Sequence, residues 1–262
     1  MTQTQAIGGQ LRSWRQRRHL SQLELASDAD ISTRHLSFLE TGRAQPSREM
    51  VLKLAEQLQV PLRERNVLLV AAGFAPVFPQ RPLDDPALSA ARQAIDLVLA
   101  AHEPFPALAV DRHWTMVTAN RAVAPLLEGV DPSLLKPPVN VLRLSLHPKG
   151  LAPRIANLTE WRNHLLARLR AQVGVSADAT LASLLEELRL YPAHGASSGR
   201  APSERDYAGI VVPLELVTPA GTLAFFSTTT VFGTPVDVTL SELAVEAFFP
   251  ADAATAKVLR GV

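Results

Sequence analysis

The chain has 262 residues, enough for two domains, and its 47% apolar and 19% charged content is that of a globular protein rather than a disordered one. It has no cysteine, which excludes disulfides, thiolate metal sites and cysteine nucleophiles. The net charge of +1 is unevenly spread, with ten Lys/Arg against seven Asp/Glu in residues 1–75 and sixteen against eighteen in residues 76–262.

No apolar run approaches the ~20 residues needed to span a bilayer. The opening MTQTQAIGGQ lacks the basic-then-apolar order of a secretion signal. A cytoplasmic protein with no membrane segment is expected. Ile7, Leu11 and Trp14 then recur at helical spacing. Ser21 precedes LELAS and has Glu24 three residues on, a capping-box pattern. Ser32 can cap a third helix, and Gly42 follows its last apolar residue. Ser47 opens REMVLKLAEQL, and Pro61 starts a fifth helix that Gly73 ends. The expectation is an all-α five-helix domain over residues 1–74.

The composition then shifts. APVFPQRPLDDP, residues 75–86, holds four prolines and predicts an extended linker. A second domain, residues 87–262, follows. ALSAARQAIDLVLAAH predicts a helix. PALAVD and WTMVTAN predict short strands about a turn at Asp111-Arg112-His113. RAVAPLLEG predicts a helix from Asn120 to Gly129. Residues 140–190 carry helical patterns broken at Pro148, Pro153 and Gly174, and Tyr191–Asp206 predicts a mobile loop. The segment from Gly209 to Phe232 predicts two strands about Pro-Ala-Gly, and SELAVEAFFP one more.

The stretch ISTRHLSFLETGR carries the first functional signal. At about 100° per residue, Leu36 and Leu39 mark a buried face. Arg34, Ser37 and Phe38 gather opposite, with Thr33 at the edge and Ser32 at the start. Those side chains suit a major groove, where arginine forks onto guanine, hydroxyls adapt and an apolar group touches a thymine methyl. Phe38 either makes that contact or folds back onto the protein. Ser21 to Glu40 therefore reads as a helix-turn-helix, with Gln22 placed to hold a phosphate at a helix N-terminus. One or two of Arg12, Arg15, Arg17 and Arg18 add phosphate contacts.

The runs LSQLELA, ISTRHLSFLETGR and PSREMVLKLAEQLQV resemble the Xre/Cro-type repressor domain. The resemblance implies that Arg15 pairs with Glu40, orienting both helices, and that Arg43 grips the DNA backbone. A short recognition helix reads few bases, so a homodimer on an inverted repeat of double-stranded DNA is expected.

VDRHWTMVTANRAVAPLLEG resembles the start of a PAS domain. The late strands would complete a five-stranded antiparallel sheet with the 134–190 helices over one face. NVLRLSLHPKGLAPRIANLTEWRNHLLARLR, after a repressor domain, resembles the MmyB-like transcription regulators. The resemblance implies a PAS-like ligand-binding domain and, for some members, a fatty-acid-like ligand. The repressor domain here lacks the insertion after the first helix that many relatives carry.

From the residues themselves, Arg143 and His147 share a helix face, Trp161, Leu165 and Leu169 form an inner stripe with His164 at its edge, and Phe226, Thr228, Thr230 and Phe232 alternate on one strand face. Such an apolar slot with Arg and His at its mouth would suit a carboxylate with a hydrocarbon tail. Equally, the stripe is ordinary core, and Arg143 pairs with Glu160 or another acid. No motif indicates catalysis, a metal or a required cofactor, so no enzyme is expected. The competing expectation is a repressor or antitoxin-type protein whose second domain only dimerises or binds a protein partner.

Overall fold

Three serines set where helices begin. The Ser21, Ser32 and Ser47 hydroxyls each accept the backbone N–H three residues on, which satisfies one of the donors a helix N-terminus leaves free. They open α2 (Gln22–Asp28), α3 (Thr33–Glu40) and α4 (Arg48–Gln57), between α1 (Ile7–Arg17) and α5 (Leu62–Ala71). The coordinates are a computed structural model and describe residues 7–192, 212–233 and 237–261.

The chain divides into two compact units. The first comprises Met1–Pro82, Gly174–Ser176 and Thr234–Ser241. Its core is one apolar cluster, with Leu11, Leu25, Leu36, Leu39, Leu54 and Leu68 fully buried. Helices α1 and α3 meet at Gly8. A Cβ added there would lie 2.3 Å from the Leu39 carbonyl oxygen and 2.7 Å from that of Glu40.

The expected linker is not free over its whole length. Asn66 of α5 accepts from the N–H groups of Val77 and Phe78 and donates to the Phe78 carbonyl, and Val77 packs on the helical core. The boundary falls at Pro82, inside the Pro-rich stretch. A short helix, α10 (Val238–Ser241), belongs to this unit. Its Val238 N–H donates to the Pro79 carbonyl at 2.8 Å, and Asp237, its side chain 2% exposed, pairs with Arg81 at 3.3 Å.

The second unit is built on a five-stranded antiparallel sheet in the order β2-β1-β5-β4-β3. The strands are β1 (Ala107–Val110), β2 (Met116–Ala119), β3 (Leu214–Thr218), β4 (Gly221–Val231) and β5 (Ala244–Pro250). The helices are α6 (Ser89–Ala101), α7 (Val141–Leu146), α8 (Leu158–Ser176), α9 (Ala179–Leu190) and α11 (Ala253–Arg260). Trp161, Leu165 and Leu169 of α8 and Leu181, Leu184 and Leu188 of α9 share one cluster with the inward residues of the sheet.

Two expectations are corrected. Residues 121–129 form turns and a 3-10 segment, Ala124–Leu127, rather than a regular helix. Pro125 removes a donor there. Asn120 is not a cap, because its buried amide accepts from the Ala107 N–H and donates to the Leu99 and Phe105 carbonyls. Gly174 lies inside α8, which ends instead at Ala177 in the left-handed region. From residue 193 onward, the loop expected over Tyr191–Asp206 lies outside the described residues, as do residues 209–211 of the next strand segment.

Candidate functional site

In the helical unit a buried ionic cluster fixes α3. Arg15 of α1 donates from Nε to Glu40 Oε1 at 2.6 Å and from Nη2 to Oε2 at 2.9 Å, while its Nη1 holds the Leu20 carbonyl. The Glu40 side chain is 1% exposed. The hydrogen bond to Glu40 raises the Arg15 pKa above its ordinary value. Gln22, expected to face a phosphate, donates from Nε2 to Glu40 Oε2 at 2.7 Å. One of its two amide hydrogens is thus engaged inside the protein, and one is left for a phosphate. Arg18 is also drawn inward. Its Nε donates to the Leu58 carbonyl and its guanidinium lies over Trp14, and burial followed by the charge of Arg17 lowers its pKa. Of the four-arginine cluster, Arg12 and Arg17 stay exposed.

The opposite face of α3 is open. Ser32, Arg34 and Arg43 are exposed, and Thr33, Ser37 and Phe38 are half-buried. The Phe38 ring carries two guanidiniums, Arg34 at 5.3 Å and Arg43 at 5.9 Å from its centroid. Such contacts contribute little at an exposed site, but they hold both arginines on the face that also shows the Ser37 and Thr33 hydroxyls. The Ser32 hydroxyl is engaged as the cap of α3. A rigid helix carrying two cations, hydroxyls and a phenyl ring can enter a major groove and read base edges.

The second unit holds a cavity of about 100 Å³ between its sheet and helices. The sheet contributes Leu108, Met116, Leu216, Phe225 and Phe248, and α7 and α8 contribute Leu142, Leu144, Trp161 and Leu165. Trp114 closes one side. The polar lining residues are Ser145, Arg168, Ser227 and Glu246. Ser145 Oγ accepts from the Trp161 indole at 2.9 Å.

Of the residues expected here, Trp161 and Leu165 of the α8 stripe line the cavity. Arg143 is turned outward into a bidentate pair with Glu187, both bonds 2.7 Å. That pairing raises the Arg143 pKa and lowers that of Glu187. His147 packs edge-on against Tyr191, whose hydroxyl is pushed up to about 12 by burial and by Glu187. His164 stacks on Trp161 without reaching the lining.

Phe226 and Thr228 are on the wrong face of β4. Strand parity turns Phe225 and Ser227 inward, while Phe226 stacks on Phe249, itself against His102, across the sheet. Sequence reasoning missed Arg168, Glu246 and Ser227. The one available signal was a glutamate amid apolar residues on β5.

The MmyB-like transcription regulator ligand binding domain family matches residues 91–261, and the helix-turn-helix family matches residues 11–65. No curated protein matches the chain. A solved structure described as "Structure of an RNA-binding Light-Oxygen-Voltage Receptor" is 14% identical with a TM-score of 0.28. That match covers 96% of this chain and 60% of the other, a likeness too low to carry any argument.

Proposed function

The chain belongs to the MmyB-like transcription regulators, and we propose that it binds an inverted-repeat operator as a homodimer and holds a small amphiphile with a fatty-acid-like hydrocarbon tail in its second unit. It is a DNA-binding transcription regulator with a ligand-binding C-terminal domain. The observation that carries the finer reading of DNA contact is the open face of α3, with exposed Arg34 and Arg43 set by the Arg15–Glu40–Gln22 cluster behind it. Arg34 reads a base, Ser37, Thr33 and Phe38 tune the fit, and Arg43, Ser32 and the free amide hydrogen of Gln22 serve the backbone.

A homodimer is supported by the exposed apolar edge of α6, where Leu97 is 71% and Val98 45% exposed. The second unit reads as PAS-like, from its antiparallel strand order and the cavity between sheet and helices. That lining is almost wholly hydrocarbon and aromatic, which suits an acyl chain rather than catalysis. The free volume of about 100 Å³ is below the ~150 Å³ that takes one benzene ring. A long chain would therefore displace lining side chains as it enters. No helix among the described residues is long and apolar enough to cross a membrane, and the proposed place of action is the cytoplasm.

The test is selection of bound sequences from a random double-stranded DNA library with the full chain. Two inverted half-sites about one helical turn apart, roughly 34 Å, are expected. A single half-site, or no enriched sequence, would count against the dimeric operator. Mass spectrometry of small molecules released on denaturation examines the ligand half.

A further inference from the structure

The two charged groups of the cavity lining, Arg168 of α8 and Glu246 of β5, already engage each other. Arg168 Nη1 donates to Glu246 Oε2 at 3.1 Å, and Nη2 donates to Oε1 at 2.5 Å. Thr229 Oγ1 gives Oε1 a second donor at 2.9 Å. The guanidinium also lies 4.5 Å from the Trp114 ring centroid. Glu246 is the more enclosed partner, its side chain 5% exposed against 29% for Arg168.

This corner discriminates between head groups. A carboxylate would approach an anion whose counter-charge is taken. Drawing Arg168 to itself would leave a buried Glu246 with only a hydroxyl, the costly way to break an enclosed pair. An ammonium would meet the guanidinium. An uncharged head with a hydrogen to donate meets neither penalty. Oε2 accepts one hydrogen bond, from Arg168 Nη1, and a carboxylate oxygen has room for two. Ser227 sits opposite Phe248 in the β4–β5 ladder, one pair along the same face from Thr229 opposite Glu246, and offers a hydroxyl for the oxygen of such a head.

We propose that the ligand is an amphiphile with a neutral, hydrogen-donating head, such as an alkanol, held by Glu246 and Ser227 in preference to the free acid of the same chain. This rests on the reading of the cavity as the ligand site. This charged corner acts as a filter against charge, while the hydrocarbon lining accepts the tail of any of them.

The test is isothermal titration of the full chain with octan-1-ol, octanoate and octylamine at about pH 7.5, where the last two are charged. Octanol should bind about tenfold or more tighter than octanoate, a difference of ~1.4 kcal/mol. Glu246→Gln, which frees Arg168, should reverse that order, an effect that general loosening of the fold does not produce. Octanoate binding as tightly as octanol to the wild-type chain overturns the head-group inference and leaves the apolar site standing. Binding of none of the three at millimolar concentration overturns both. The wild-type series decides the matter even where Glu246→Gln fails to fold. In that case Ser227→Ala replaces it, with octanol weakened and octanoate unchanged.

Discussion

A single methyl group at Gly8 should loosen the helical unit, against the usual effect of alanine in a helix. Replacing glycine by alanine in an open helix favours it by about 0.8–1.0 kcal/mol. At Gly8 the new Cβ would stand 2.3 Å from the Leu39 carbonyl oxygen, where ordinary contact begins near 3.4 Å, so α1 must retreat by roughly 1 Å. The obstacle is backbone and cannot rotate aside. A gap of ~0.5–1 Å already forfeits a quarter to a half of each contact's attraction, and Ile7 and Leu11 lie on the retreating helix. Over-packing of this kind costs about 1–3 kcal/mol, and the Arg15–Glu40 bonds joining the same helices would lengthen as well. The net expectation for Gly8→Ala is a loss of ~1–2 kcal/mol, or an open population about 5–30-fold larger and exchange faster in proportion. Hydrogen exchange read by mass spectrometry on peptides from α1 and α3 isolates this unit from the other. Gly174→Ala is the control, because its Cβ would meet nothing within 4 Å, and it should slow exchange in α8 slightly. Slower exchange in α1 and α3 of Gly8→Ala would refute the close-approach argument.

Arg34→Ala should lower specific operator affinity by ~1–3 kcal/mol and relax preference at one base pair, measured by competition binding; unchanged discrimination would remove Arg34 from the groove. Glu40→Ala leaves Arg15 buried without its partner and should cost about 3–5 kcal/mol, whereas Arg15→Met with Glu40→Leu should recover much of that in thermal melts. Equal loss in single and double variants would argue against the paired-charge account. Burial first, and then the Arg168 charge, hold the His164 pKa below its ordinary value, with Glu246 opposing. The native state then binds fewer protons, so stability is complete above the unfolded value of about 6.5 and is lost as pH falls through the folded one. His164→Gln should flatten that acid-side loss in melting curves, and parallel curves for the two proteins would dismiss the assignment. If the cavity and the DNA-reading helix are coupled, saturating ligand must change operator affinity by its differential affinity for the two states; equal affinity with and without it would remove the coupling.

The helical unit was readable from local chemistry. Each serine cap announces itself by its own position and the residues three further on, so Ser21, Ser32 and Ser47 needed no tertiary information. The cavity was harder because its decisive contacts are long-range. FFSTTT offers the same alternation in both parities, and both faces of β4 find aromatic partners, Phe225 with Phe248 and Phe226 with Phe249. Only the register against β5 decides which face looks inward. Arg143 illustrates the same limit: its acid turned out to be Glu187 on α9, a partner that helix spacing around Arg143 does not reveal. Glycine ordinarily weakens a helix, yet at Gly8 the approach of two backbones makes it the residue that position requires.

The helical unit is not one continuous piece of chain. Its α10, with the buried Val238 and the Arg81–Asp237 pair, is encoded far downstream, between two strands of the other unit's sheet. Recombination can exchange a DNA-reading module by one crossover only where the module ends before its neighbour begins. A crossover at Pro82 would deliver five helices without the segment that meets the Pro79 carbonyl and Arg81. Descendants of such an exchange would inherit the two units as a matched set or lose part of one, so the two halves of this regulator are expected to diverge together.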